Sequence, residues 1–149
     1  MAIWVDADAC PKVIREVLFR ASRRTGVGVT LVANQPLATP PSPHIRAVQV
    51  SNGFDVADNY IAQQVTQGDL VVTADIPLAA EVVAKGALAV NPRGARYTEE
   101  NIKQRLSVRN FMEEMRSTGQ VQGGPPPLAK SDVQAFANAL DQYLAKSKR

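Results

Sequence analysis

The sequence predicts an α/β fold, a three-layer sandwich with a mostly parallel central sheet. Three observations predict it. Short runs of Val, Leu, Ile and Ala alternate with segments of helical period, the pattern of successive βαβ units. The runs are apolar throughout, with little in–out alternation, as strands covered on both faces require. Clusters of Gly, Asn and Pro separate them, as turns do. A length of 149 residues suits one compact domain. Its α/β core is expected over residues 1–92, with helical segments over 93–119 and 131–146 joined by a Gly/Pro linker.

Each element has a local reason. Ile3-Trp4-Val5-Asp6 reads as a first strand. Pro11 suits the first turn of a helix, where its missing N–H costs nothing. Val13, Ile14, Val17, Leu18 and Ala21 then recur at helical spacing over about 11–24, and Gly26 ends the run. Lys12, Arg15, Arg20, Arg23 and Arg24 occupy the opposite face. Val29 to Ala33 reads as a buried strand, and the four prolines between Asn34 and His44 require a loop. Val48-Gln49-Val50 alternates like a short strand. A helix follows through Ala57, Tyr60, Ile61 and Val65, closed by Gly68. Leu70 to Thr73 is another strand, Pro77 to about Ala84 a short helix, and Ala87 to Val90 the last strand. Thr98 caps the next helix, with Ile102 and Leu106 in one apolar stripe and Val108, Phe111, Met112 and Met115 in a second segment. Gln120 to Ala129 reads as a mobile linker. Ser131-Asp132-Val133-Gln134 reads as a capping box for a terminal helix whose apolar face docks on the core.

Composition narrows the class. Aromatic residues are only 5%, so the core must be aliphatic. The single Cys10 excludes a disulfide framework and a cysteine-rich zinc site. No apolar run approaches the ~18 residues of a membrane span. The amino-terminal segment meets Asp6 at once and has no basic lead, so it does not read as a signal peptide, and a cytoplasmic protein is expected. The net charge of +3 is uneven: residues 1–90 hold 7 Lys/Arg against 8 Asp/Glu, and residues 91–149 hold 10 against 6. A basic second part beside a slightly acidic first part suits a polyanionic partner, although ordinary scatter gives the same numbers.

The positions of the acids are more specific. Asp6 and Asp8 follow the first strand, Asp55 and Asp58 open the helix after the 48–50 strand, and Asp75 follows the 70–73 strand. Ligands of open α/β sheets bind outside the carboxyl ends of the strands. Three segments thus send five carboxylates to one edge. Such carboxylates raise each other's pKa unless a cation neutralises them, and hard divalent ions, Mg²⁺ or Mn²⁺, suit oxygen ligands. Each acid also has a plainer reading, since Asp8, Asp55, Asp58 and Asp75 all fall where helices are capped or begin. Arg93 and Arg96 follow the last strand and reach either phosphate at the same mouth or a structural salt bridge. Cys10 has no adjacent base and reads as a small buried residue, His44 as exposed, and Asp69 as a turn residue facing water.

Val5-Asp6-Ala7-Asp8-Ala9-Cys10-Pro11, Asp55-Val56-Ala57-Asp58, Val72-Thr73-Ala74-Asp75-Ile76-Pro77-Leu78-Ala79 and Asn91-Pro92-Arg93-Gly94 resemble the YaiI/YqxD family of small bacterial proteins, over nearly the whole chain. More broadly, the pattern is similar to the PIN-like superfamily of metal-dependent nucleases. That resemblance implies metal-holding roles for Asp6, Asp55 and Asp75, with Asp8 and Asp58 as additional ligands. The Asp6/Asp8 pair is richer than the single acid usual there, and the chain beyond Asn91 departs from the general nuclease pattern.

The expected activity is hydrolysis of phosphodiester bonds in nucleic acid, RNA first, by one or two Mg²⁺ or Mn²⁺ ions. Asp6, Asp8, Asp55, Asp58 and Asp75 would form the catalytic and metal set. Phosphate contacts are expected from Arg93, Arg96, Arg105 and Arg109, which bind backbone without reading sequence. Two rivals stand beside it. One is a PIN-like module that binds RNA or protein without cutting. The other is a haloacid-dehalogenase-type phosphatase with Asp6 as nucleophile, although Cys10-Pro11 stands where such enzymes carry a threonine.

Overall fold

The computed structural model describes residues 2–53, 56–117 and 127–147, with the side chains of 109–117 and 147 outside the description. Six strands, β1 (Ala2–Asp6), β2 (Gly28–Ala33), β3 (Ile45–Gln49), β4 (Leu70–Val72), β5 (Leu88–Val90) and β6 (Arg96–Tyr97), form one sheet in the order β3-β2-β1-β4-β5-β6. The first five are parallel, and β6 runs antiparallel to β5. Five helices accompany them: α1 (Lys12–Thr25), α2 (Val56–Gln64), α3 (Ile76–Ala84), α4 (Glu99–Ser117) and α5 (Lys130–Ser147). A single 3-10 turn, Ala7–Ala9, joins β1 to α1.

Strand side chains alternate between two apolar faces, which is what covering both faces demands. Ile3, Val5, Val29, Leu31 and Val72 pack with Ile14, Leu18, Phe136, Leu140 and Leu144, so α1 and α5 lie on one side. Trp4, Val32, Val71 and Ala89 pack with Ile61, Leu78, Val82 and Ile102, so α2, α3 and α4 lie on the other. The expected three layers are present.

The strand order reverses direction at β1. The chain moves outward from β1 to β2 and β3, then returns to place β4 on the other flank of β1. Neighbouring loops diverge at such a switch point and leave a crevice at the carboxyl ends of the strands. Here that crevice lies between the ends of β1 and β4.

Several local expectations change. The 48–50 strand begins earlier, at Ile45, and ends at Gln49, pairing with Val29 to Ala33 of β2. β6 is an added two-residue strand, too short for periodicity to reveal. The two segments expected beyond Thr98 form one continuous helix, α4, and Thr98 and Asn101 cap each other reciprocally at its start. The capping box of α5 is displaced. The helix begins at Lys130, and Asp132 accepts the backbone N–H of Ala129 at 2.8 Å, making the reach-back bond that the box assigns to Gln134. Gly26 ends α1 in the left-handed conformation, as expected. Of the expected linker, only 127–129 lies within the described residues, and Leu128 packs against the core.

Candidate functional site

Asp6 is the last residue of β1 and is 8% exposed. Among the described residues its carboxylate accepts one hydrogen bond, from the Thr73 hydroxyl to Oδ2 at 3.0 Å. Thr73 itself is buried at the end of β4, and its Oγ1 accepts the backbone N–H of Asp75 at 3.0 Å. Adjacent parallel strands thus deliver the two side chains to one point. Burial pushes the Asp6 carboxyl above its usual range, and the nearby charges of Asp75 and Asp8 push the same way against the Thr73 hydroxyl.

Asp75 and Asp8 stand at the rim. Asp75 caps α3, with Oδ1 accepting the Leu78 N–H at 2.9 Å, and Pro77 fits the first turn beside it. The plainer reading of Asp75 therefore holds for one of its oxygens, while its charge still acts on Asp6. Asp8 is exposed on the 3-10 turn, and its Oδ2 accepts the Asn34 N–H at 3.0 Å, tying that turn to the start of the proline loop.

The structure brings Asp6, Asp8 and Asp75 to one crevice. Asp58 lies half-buried in the first turn of α2, and Asp55 lies outside the described residues. Among the described residues, no three His, Cys, Asp or Glu side chains gather closely enough to enclose one metal ion. The donors present are all carboxylates, which suits a hard cation and not zinc held by nitrogen or sulfur. Mg²⁺ keeps several waters and commonly takes only one or two carboxylates together with substrate phosphate, so it needs no closed cage.

The four arginines expected at phosphate have different surroundings. Arg93 lies at the mouth and lines a cleft of about 450 Å³ with Ala9, Pro11, Ala74, Asn91 and Leu128. Its Nη1 is ion-paired with Asp132 of α5 at 2.8 Å. The Asn91 side chain shapes this turn by accepting the N–H groups of Arg93 and Ala95. Arg96 donates to Gln142 and lines a pocket with Leu70, Leu88 and Tyr143, on the α5 side of the sheet. The Arg105 guanidinium lies over the Tyr97 ring, 5.0 Å from its centre. The Arg109 side chain is outside the described residues.

Burial raises the Tyr97 hydroxyl above its ordinary pKa, with Asn91 and Arg105 opposing and Asp75 adding to the effect. Tyr97 therefore joins Asn91 and Arg105 beside the acids, a grouping that a two-residue strand kept out of the sequence pattern. Thr73 was visible only as part of a motif. Its signal was a hydroxyl residue closing an otherwise aliphatic strand.

Cys10 is buried, and burial pushes its thiol up to about 12, so it is not a nucleophile at neutral pH. His44 is exposed, as expected. Asp69 differs from expectation: it is 3% exposed, at the opposite end of the central strands. Its carboxylate accepts the Ala2 N–H at 2.9 Å, the Trp4 indole N–H at 3.1 Å, and both the N–H and hydroxyl of Thr66.

Comparison with known proteins assigns the family. Residues 4–146 match the family described as uncharacterized BCR, YaiI/YqxD family. A UPF0178 protein of Thioalkalivibrio sulfidiphilus is 65% identical over 98% of this chain and 99% of its own. UPF0178 proteins of Shewanella amazonensis and Yersinia pestis are 62% and 63% identical, covering 98% and 99% of this chain and 98% and 97% of their own. No solved structure matches. With matches of this length running through β1, β4 and the turn after β5, the chain belongs to the YaiI/YqxD family.

Proposed function

We propose that this protein hydrolyses phosphodiester bonds in nucleic acid, RNA first, with the help of Mg²⁺ or Mn²⁺. One observation carries the reading. Asp6 is a buried carboxylate at the switch point, with a single hydrogen bond among the described residues and two like charges beside it. A fold that needed only a structural acid there would surround it with donors. A site that waits for a cation leaves it short of them.

In this reading Asp6 and Asp75 hold the cation, with Asp8 reaching it directly or through water. Asp58, in the first turn of α2, would extend the set. When bound, the ion supplies Lewis-acid polarisation of a phosphoryl oxygen and eases deprotonation of water. Thr73 holds one oxygen of Asp6, so the other is presented in a fixed direction. Water would add its oxygen to phosphorus as the ester P–O bond breaks, with the proton it gives up taken by a carboxylate of the mouth and returned to the departing ester oxygen. Asn91 and Arg93 shape the adjoining wall of the crevice. The test is calorimetric titration with Mn²⁺, paired with cleavage of end-labelled single-stranded RNA. Asp6→Asn is expected to abolish the metal heat and slow cleavage on the order of 100-fold. Equal cleavage by the variant and the wild type would overturn the reading.

Binding without cleavage is the second reading. It is favoured by the absence, among the described residues, of any three donors gathered around one point. Wild-type protein that binds RNA but neither takes up Mn²⁺ nor cuts would establish it.

A further inference from the structure

α1 carries cations that no ion pair engages among the described residues. Lys12, Arg15 and Arg23 line a groove of about 560 Å³ whose other wall is the proline loop, through Pro36, Leu37 and Pro40. Their spacing keeps them on one helix face, with Phe19 on the turn between Arg15 and Arg23, along about 16 Å at 1.5 Å per residue. Glu16 is the one acid in the groove, and Phe19 forms part of its floor. Among the described residues, no ion pair engages Lys12, Arg15 or Arg23, whereas Arg24 on the neighbouring face is paired with Asp141 at 2.9 Å. Arg15 Nε is buried and has no hydrogen-bond partner among the described residues. A buried donor left unpaired is uncommon in a folded protein and calls for an acceptor.

The groove starts one residue from Pro11, which lines the cleft beside the acids. Lys12 follows directly on Cys10-Pro11, and Asp8 grips Asn34 at the start of the loop that forms the far wall. We propose that this groove is the track for a single strand of nucleic acid, its phosphates on Lys12, Arg15 and Arg23 and its sugars and bases against Phe19, Leu37 and the prolines. Charge selects the partner, because three cations against one acid fit a chain of phosphates. The apolar wall selects the single strand, whose unstacked bases offer faces that a duplex keeps covered. The proposal deepens the hydrolase reading by assigning its substrate path, but binding along the track needs no metal.

The test is fluorescence anisotropy with labelled oligo(U) and oligo(dT) 12-mers in EDTA, across a salt series. Three phosphate contacts predict a log–log salt slope of about −2 for a single strand. Lys12→Gln, Arg15→Gln and Arg23→Gln are each expected to weaken binding roughly five- to ten-fold at 50 mM salt and to flatten the slope by about 0.7. Arg20→Gln, which removes the same charge from α1 outside the groove, is expected to retain binding close to wild type. A triple groove variant that folds, by circular dichroism, and binds as tightly as wild type would overturn the proposal. So would an Arg20→Gln loss equal to that of Arg15→Gln, or binding of duplex alone. Asp6→Asn keeps its grip on the oligonucleotide if the track is right, even where metal uptake and cleavage are lost, so failure of the track and failure of the hydrolase reading are separate results.

Discussion

Asp69 and Asp6 are both buried aspartates, one just before β4 and one ending the neighbouring β1, yet they sit at opposite ends of the sheet and their pKa values shift in opposite directions. Burial acts to raise the pKa of Asp69, but the donors of Thr66, Trp4 and Ala2 more than offset it and hold the carboxyl below its usual value. At Asp6 burial wins, joined by Asp75 and Asp8, with Thr73 alone opposing. The pair teaches how to separate an acid that the fold satisfies from one that it leaves short of donors. Both lie out of solvent, so burial does not distinguish them. The supply of donors does.

The largest test of this contrast is Asp69→Ala. It strips the partner from the Trp4 indole, from Thr66 and from the first N–H of β1, and is expected to cost about 3 kcal/mol in urea unfolding. A loss below about 0.5 kcal/mol would remove the structural role assigned to Asp69. Asp6→Asn tests the other end. The amide still accepts the Thr73 hydroxyl but carries no charge, so a gain of about 1 kcal/mol is expected, together with loss of Mn²⁺ uptake. A variant less stable than wild type would place Asp6 with Asp69 among structural acids.

The smallest effect is in the pH dependence. The stability that Asp69 provides is present above its unfolded pKa, near 3.9, and is lost as pH falls through its lower folded value. Asp6 runs the other way: its ionised form burdens the fold at neutral pH, and the burden lifts as pH falls through its raised folded value. On acidification, metal-free wild type should therefore show a slight rise in its Asp6 contribution before the Asp69 contribution is lost. Asp6→Asn should lack that rise. Unfolding free energies measured from pH 7 to pH 3 on both proteins would read the difference, and superimposable curves would remove it.

Local pattern made much of this legible. The strands β1, β2, β4 and β5 and the helices α1, α3 and α5 follow from runs and periods that a single segment carries. The rule that ligands gather at the carboxyl ends of parallel strands singles out five acids, of which Asp6, Asp8 and Asp75 meet at the crevice, while Asp58 lies in the first turn of α2 and Asp55 lies outside the described residues. What stayed hidden depends on partners distant in sequence. Asp69 follows Gly68 and reads as an ordinary turn acid, because its indole partner, Trp4, is 65 residues away. Arg93 reads as a cation for phosphate or for a salt bridge, and the salt bridge is present, but its partner Asp132 stands 39 residues further on. The α1 cations were noted as a charged face, but the groove exists only once the proline loop folds against them.

One close approach bears on the carboxyl-terminal helix. Gly94 has φ +88°, and a Cβ there would lie 2.5 Å from the carbonyl carbon of Ala135. The turn that ends in this glycine also borders the cleft beside Asp75, and α5 rests on it main chain to main chain. The final helix is thus the keystone of one bank of the crevice. Shortening the protein before Lys130 would strip the cover from the lower layer and unmake that bank in the same stroke.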